Sequence, residues 1–119
     1  MLQIQTKSVE NVIIFALNGR FDTYTVNDLR QKLESAASVP PAQILVDLTE
    51  VNFVDSTALA ALVQGMKHSR QQGGDLRLCG LGQSVRIIFE LTRLDRAFEI
   101  YVKPDEAIAA FAQLQEVQS

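Results

Sequence analysis

The chain reads as an α/β fold built on a mixed sheet. Short β-branched runs alternate with segments whose apolar residues recur at helical spacing, and from Gln43 onward the alternation is regular: strand, helix, strand, helix. Such crossovers imply parallel pairing, whereas the two strand-like runs at the N-terminus, separated only by a short polar break, imply an antiparallel hairpin. The expected order is ββαβαβαβα, with four to five strands and about four helices. At 119 residues, 47% of them hydrophobic, the chain suits a single domain, 1–119, with one real core.

Each element has its own signature. "MLQIQT" alternates Leu2 and Ile4 against Gln3 and Gln5, as a half-buried strand does, and "KSVEN" reads as the break before the central strand "VIIFAL". In "TVNDLRQKLESAAS", Val26, Leu29, Leu33 and Ala36 or Ala37 share a helical face, with Thr25 as the expected N-cap and "VPP" as the stop. "QILVDL" is too short and too β-branched for a helix, so it is read as a buried strand with "TEVNFV" as its exit loop. From Thr57, the residues Leu59, Leu62, Val63 and Met66 form the next helical face, ended by "QQGG". "DLRLCG" is another strand, "SVRIIFELTRL" another helix, "AFEIYV" a last strand, and "PDEAIAAFAQLQ" a helix opened by Pro104. The final "EVQS" is expected to be loose.

Charge and composition narrow the function. The net charge is -3 and the eleven Lys and Arg are scattered, which argues against a nucleic-acid binder. The N-terminus lacks a basic segment followed by an apolar stretch, and no window approaches the roughly 18 apolar residues that would span a bilayer, so a soluble, cytoplasmic protein without membrane insertion is expected. The lone cysteine, Cys79, sits in an apolar run and is expected to be a small buried hydrophobe. One His and one Cys cannot make a metal cluster, and Asp22, Asp47 and Asp55 are dispersed in sequence, so neither metal nor cofactor is expected.

A hydrolase needs a base beside its nucleophile. The only histidine, His68, lies twelve residues beyond Ser56 on the same expected helix, about 18 Å away at about 1.5 Å per residue, so no Ser-His pair forms and no catalytic residue is assigned. "CGLGQSV" has a glycine spacing like a dinucleotide fingerprint, but Val85 occupies the third glycine position. What remains is "VDSTALAALV", where a strand's exit meets a helix. A serine there caps the helix by accepting a first-turn N–H, which is sufficient to explain Ser56. A helix N-terminus also favours a phosphate, so Ser56 has a second reading as a phosphoacceptor.

The residues "LNGRFDTYTVNDLRQKL", "ILVDLTEVNFVDSTALAALV" and "GGDLRLCGLGQSVRIIFELTRLDRAFEIY" together resemble a STAS domain, specifically the bacterial anti-sigma-factor antagonists. The likeness covers nearly the whole chain. Gly19 and Asp22 match the family's glycine and aspartate after the second strand, Asp47 its third-strand aspartate, and Asp55, Ser56, Thr57, Ala58 and Leu59 its Asp-Ser-Ser/Thr-Gly-Leu motif. The resemblance implies a non-enzymatic partner switch. The unphosphorylated form binds an anti-sigma factor that is also an ATP-using serine kinase and so releases the sigma factor, phosphorylation of Ser56 abolishes binding, and a serine phosphatase resets the cycle. It also implies that Asp22, Asp55, Ser56, Thr57 and Ala58 bind the partner. Ala58 departs from the family's glycine, which bears on how closely a partner backbone can approach. The alternative is a STAS adaptor subunit of a membrane transport complex, in which Ser56 caps and contacts without being phosphorylated.

Overall fold

The structure, a computed structural model, describes residues 1–118, with side chains through residue 113. The elements are β1 (Gln3–Val9), β2 (Val12–Phe21), α1 (Val26–Ala37), β3 (Gln43–Val54), α2 (Ser56–Gln71), β4 (Asp75–Cys79), α3 (Gln83–Leu91), a 3-10 turn (Leu94–Arg96), β5 (Ile100–Tyr101) and α4 (Pro104–Gln118). The order is the expected ββαβαβαβα. Of "EVQS", expected to be loose, residues 116–118 lie in α4 and Ser119 lies outside the described residues.

All five strands form one sheet in chain order, β1-β2-β3-β4-β5, with β1 antiparallel to β2 and the other pairs parallel. Each crossover from β2 to β5 therefore steps in the same direction. Right-handed connections then place every connecting helix on one face. Core packing agrees: Leu29 and Leu33 of α1, Leu59 and Leu62 of α2, and Val85 and Phe89 of α3 share a cluster with Phe15, Ile44, Val46, Leu48, Leu76 and Leu78 of the sheet. The opposite face carries Val12, Ile14, Leu45 and Cys79, covered by Ala107 and Phe111 of α4. Strand β3 divides its residues between the two, with Ile44, Val46 and Leu48 facing one layer and Leu45 the other, as a period of two requires.

Three boundaries differ from the sequence reading. "KSV" is strand, not break: Val9 pairs with Val12, and a two-residue turn at Glu10 and Asn11, with φ of 50° and 68°, closes the hairpin in the way a type I′ loop does. "TEVNFV" is also strand. It is held because β2 itself runs on to Phe21, pairing Asn18 with Glu50, Gly19 with Val51, Arg20 with Phe53 and Phe21 with Val54 across two register shifts. Gly19 sits in this stretch at φ +120°, and the Met1 carbonyl occupies the place a Cβ would take. Last, "AFEIYV" yields only Ile100 and Tyr101 as strand. Ala97 and Phe98 instead close the 3-10 turn with their N–H groups on the Leu94 carbonyl, and the Phe98 ring packs edge-on to Phe89 at 6.0 Å. Cys79 is buried as expected; burial, with Asp47 beside it, pushes its thiol pKa up to about 12. No helix among the described residues is long and apolar enough to cross a membrane.

Candidate functional site

The extension of β2 and β3 brings two chain exits together. Phe21 and Val54 are paired, the Asp55 N–H donates to the Phe21 carbonyl at 3.4 Å, and the turn entering α1 consequently lies against the start of α2. This is the carboxyl edge of the parallel strands, where α/β sheets present their functional loops.

At the start of α2 the cap is Asp55, not Ser56. Asp55 has extended backbone geometry and its Oδ1 accepts the Ala58 N–H at 2.9 Å, which satisfies one of the helix's free donors. Ser56 is the first helical residue instead, with its side chain exposed. The reading of Ser56 as the capping serine is therefore corrected: a short carboxylate one residue earlier reaches the same donor. The other Asp55 oxygen, Oδ2, accepts both the N–H and the hydroxyl of Thr23, each at 2.9 Å. That hydroxyl also lies 3.0 Å from Thr57 Oγ1. Burial acts to raise the Asp55 pKa, but the N–H groups of Ala58, Thr23 and Thr57 and the Thr23 hydroxyl outweigh it, so the carboxyl stays below its ordinary value and is ionised at neutral pH.

Asp22 is not a solvated turn acid. Only 7% exposed, it accepts the Tyr24 N–H on Oδ1 at 3.0 Å and receives Arg20 Nε on Oδ2 at 3.4 Å, while its own N–H donates to Thr25 Oγ1 at 2.9 Å. Thr25 does stand at the N-cap position of α1, but its hydroxyl makes no capping bond to that helix. It donates to the Arg20 carbonyl at 2.9 Å, and the Asp22 carbonyl takes the N–H groups of Thr25 and Val26 at 3.1 and 2.9 Å. Ala58 is fully buried among core residues, so the partner-facing role expected of it has no exposed surface to act through. Its methyl packs inward and its N–H completes the cap.

The structure thus joins Asp22, Asp55, Ser56 and Thr57 at one edge and leaves Asp47 apart. Asp47 lies along β3, its Oδ1 accepting the Thr49 N–H at 3.0 Å and the Thr49 hydroxyl. Two residues of this edge escaped the sequence reading. Thr23 links the two exits, and Tyr24 projects from the turn at 93% exposure. The available signal was an aromatic set among polar residues in "FDTYT". His68 lies near the far end of the continuous helix α2, and no metal-binding group of His, Cys, Asp or Glu occurs among the described residues. What the edge offers chemically is an exposed hydroxyl at the positive end of a 16-residue helix, beside a fixed carboxylate.

Comparison with known proteins identifies the family of the chain. The model of the STAS domain matches residues 3–107. The chain is 32% identical over 99 residues to an anti-sigma-B factor antagonist of Listeria monocytogenes, covering 83% of this chain and 86% of that one. It is 30% identical over 107 residues to the anti-sigma-B factor antagonist of Bacillus subtilis, covering 90% and 97%. The crystal structure of an anti-sigma factor antagonist from Mycobacterium paratuberculosis superposes with a TM-score of 0.84 at 25% identity, over 94% of this chain and 95% of that one.

Proposed function

The chain belongs to the STAS domain family, and we propose on that premise that it is an anti-sigma-factor antagonist switched by phosphorylation of Ser56. In its unphosphorylated form it binds an anti-sigma factor that is also a serine kinase, working in the cytoplasm where ATP is available, and the sigma factor is set free. The relatives' names favour this over the transport-adaptor reading.

The observation that carries the proposal is the division of labour between Asp55 and Ser56. Because the aspartate caps α2, the serine hydroxyl is not tied into the cap and stands exposed at the first helical position. The kinase transfers the γ-phosphoryl of ATP to Ser56 Oγ: a new P–O bond forms, the bond to the β-phosphate breaks, ADP leaves, and the hydroxyl proton passes to the kinase. The phosphate adds about -1.5 to -2 charge at the helix start, where the dipole and first-turn N–H groups tolerate it within the fold. A partner surface shaped for a neutral hydroxyl beside the ionised Asp55 meets about two and a half to three times the negative charge, and like charges across an interface cost several kcal/mol. The backbone need not move. A serine phosphatase removes the phosphate and restores binding.

Incubation with the cognate kinase and ATP is expected to add about 80 Da to the intact mass, lost in Ser56→Ala and retained in Thr57→Ala. Modification that persists in Ser56→Ala would overturn the assignment of the site.

A further inference from the structure

The turn before α1 is held more rigidly than a loop needs to be, and it displays an aromatic ring. Five consecutive N–H groups, residues 22 through 26, all find acceptors: Asp22 on Thr25 Oγ1, Thr23 on Asp55 Oδ2, Tyr24 on Asp22 Oδ1, and Thr25 and Val26 on the Asp22 carbonyl. The Thr23 hydroxyl adds a second bond to Asp55, so the turn is fixed to the start of α2 as well as to itself. From this frame Tyr24 extends with 93% of its surface exposed. The ring buries almost nothing against the fold, so nearly all of its area is available to a partner.

We infer that Tyr24 is the specificity-determining anchor of the surface that receives the anti-sigma factor. The inference rests on the function proposed above and extends it from the phosphoacceptor to the residue that selects the partner. Tyrosine is among the residues that dominate protein interfaces, because a large ring with only two rotatable side-chain bonds buries much area at small entropic cost. Here the backbone beneath it is already immobilised, so binding has little left to order. The surface is continuous with the candidate site: the residue preceding Tyr24 bonds Asp55 and lies at hydrogen-bond distance from Thr57, the neighbours of Ser56 on either side. The partner accordingly carries an apolar slot for the ring, with an acceptor at its end for the phenolic hydroxyl, next to the part of its surface that meets Ser56.

The test uses the full chain and the purified anti-sigma-factor kinase that phosphorylates wild-type Ser56, with steady-state phosphorylation followed as the concentration of the chain is varied and binding measured by calorimetry with ADP present. Tyr24→Ala is expected to raise KM and Kd at least tenfold while kcat stays within about twofold and the melting temperature is unchanged. Tyr24→Phe, which keeps the ring, is expected to recover most of that loss. If Tyr24→Ala binds and is phosphorylated like wild type, the inference is overturned while the phosphoswitch stands. If kcat falls with KM unchanged, Tyr24 serves the transfer step and is not an anchor. If no anti-sigma-factor kinase of the source organism binds or modifies wild type, the proposed function itself fails, and the inference with it.

Discussion

Replacing Asp55 and Ser56 one at a time separates the residue that holds α2 from the residue that is modified. Asp55→Ala removes the acceptor for the Ala58 N–H, a cap whose loss costs about 0.5–2 kcal/mol, and frees the N–H and hydroxyl of Thr23. Thr23 is exposed, so water takes over those two donors and their loss adds only a few tenths of a kcal/mol. The sum is about 0.7–2.5 kcal/mol. With an unfolding entropy of about 2.1 cal/mol/K per residue, each kcal/mol shifts the melting temperature of a chain this long by about 4 °C, so Asp55→Ala should melt about 3–10 °C below wild type. Ser56→Ala removes no bond that supports the fold and should stay within about 2 °C. Asp55→Asn, which keeps Oδ1 as acceptor, should fall between. Differential scanning calorimetry at neutral pH reads all three. The carboxyl's lowered pKa gives a further check: its stabilisation is present above the unfolded value of 3.8 and is lost as pH falls through the lower folded value, so wild type and Asp55→Ala should converge in acid below that range. If Ser56→Ala loses as much stability as Asp55→Ala, the serine is the cap after all, and its availability to a kinase loses its structural basis.

Other residues give independent tests. Asp22→Ala strips a buried acceptor from the Tyr24 N–H and from Arg20 and should cost about 1–3 kcal/mol, or about 4–12 °C, with Asp22→Asn recovering part of it; an unchanged melting temperature would mean that these bonds add nothing to the fold. Ser69 Oγ is buried without a hydrogen-bond partner among the described residues, so Ser69→Ala should leave stability unchanged or raise it by up to about 1 kcal/mol; urea denaturation showing a clear loss would mean that a partner exists. Cys79, buried and with its thiol raised to about 12, should resist iodoacetamide at pH 8 in the native chain and react once unfolded; rapid native labelling would show that the α4 side of the sheet opens readily.

Patterns that repeat over a few residues were enough for the element order, because strand and helix periodicities are local properties. Val26, Leu29 and Leu33 announce α1, Leu59, Leu62 and Met66 announce α2, and both stand buried as that spacing requires. The Asp-Ser-Thr run likewise falls where β3 ends and α2 begins, as its turn and capping chemistry requires. Its internal roles were not legible. Whether Asp55 or Ser56 caps α2 depends on which residue adopts extended geometry at the end of β3, and that depends on how far β2 and β3 stay paired, a question settled between chain segments about thirty residues apart. The stretch "TEVNFV" follows a strand that already looks complete and so reads as its exit, yet pairing with Asn18–Phe21 carries the same strand on through Val54. The burial of Asp22 could not be read from its neighbours in sequence, since its acceptors are matched by donors that only the folded turn assembles. Thr23 could not be identified from its neighbours at all. Its importance lies in a carboxylate 32 positions away in sequence, and only the tertiary structure brings the two within 2.9 Å.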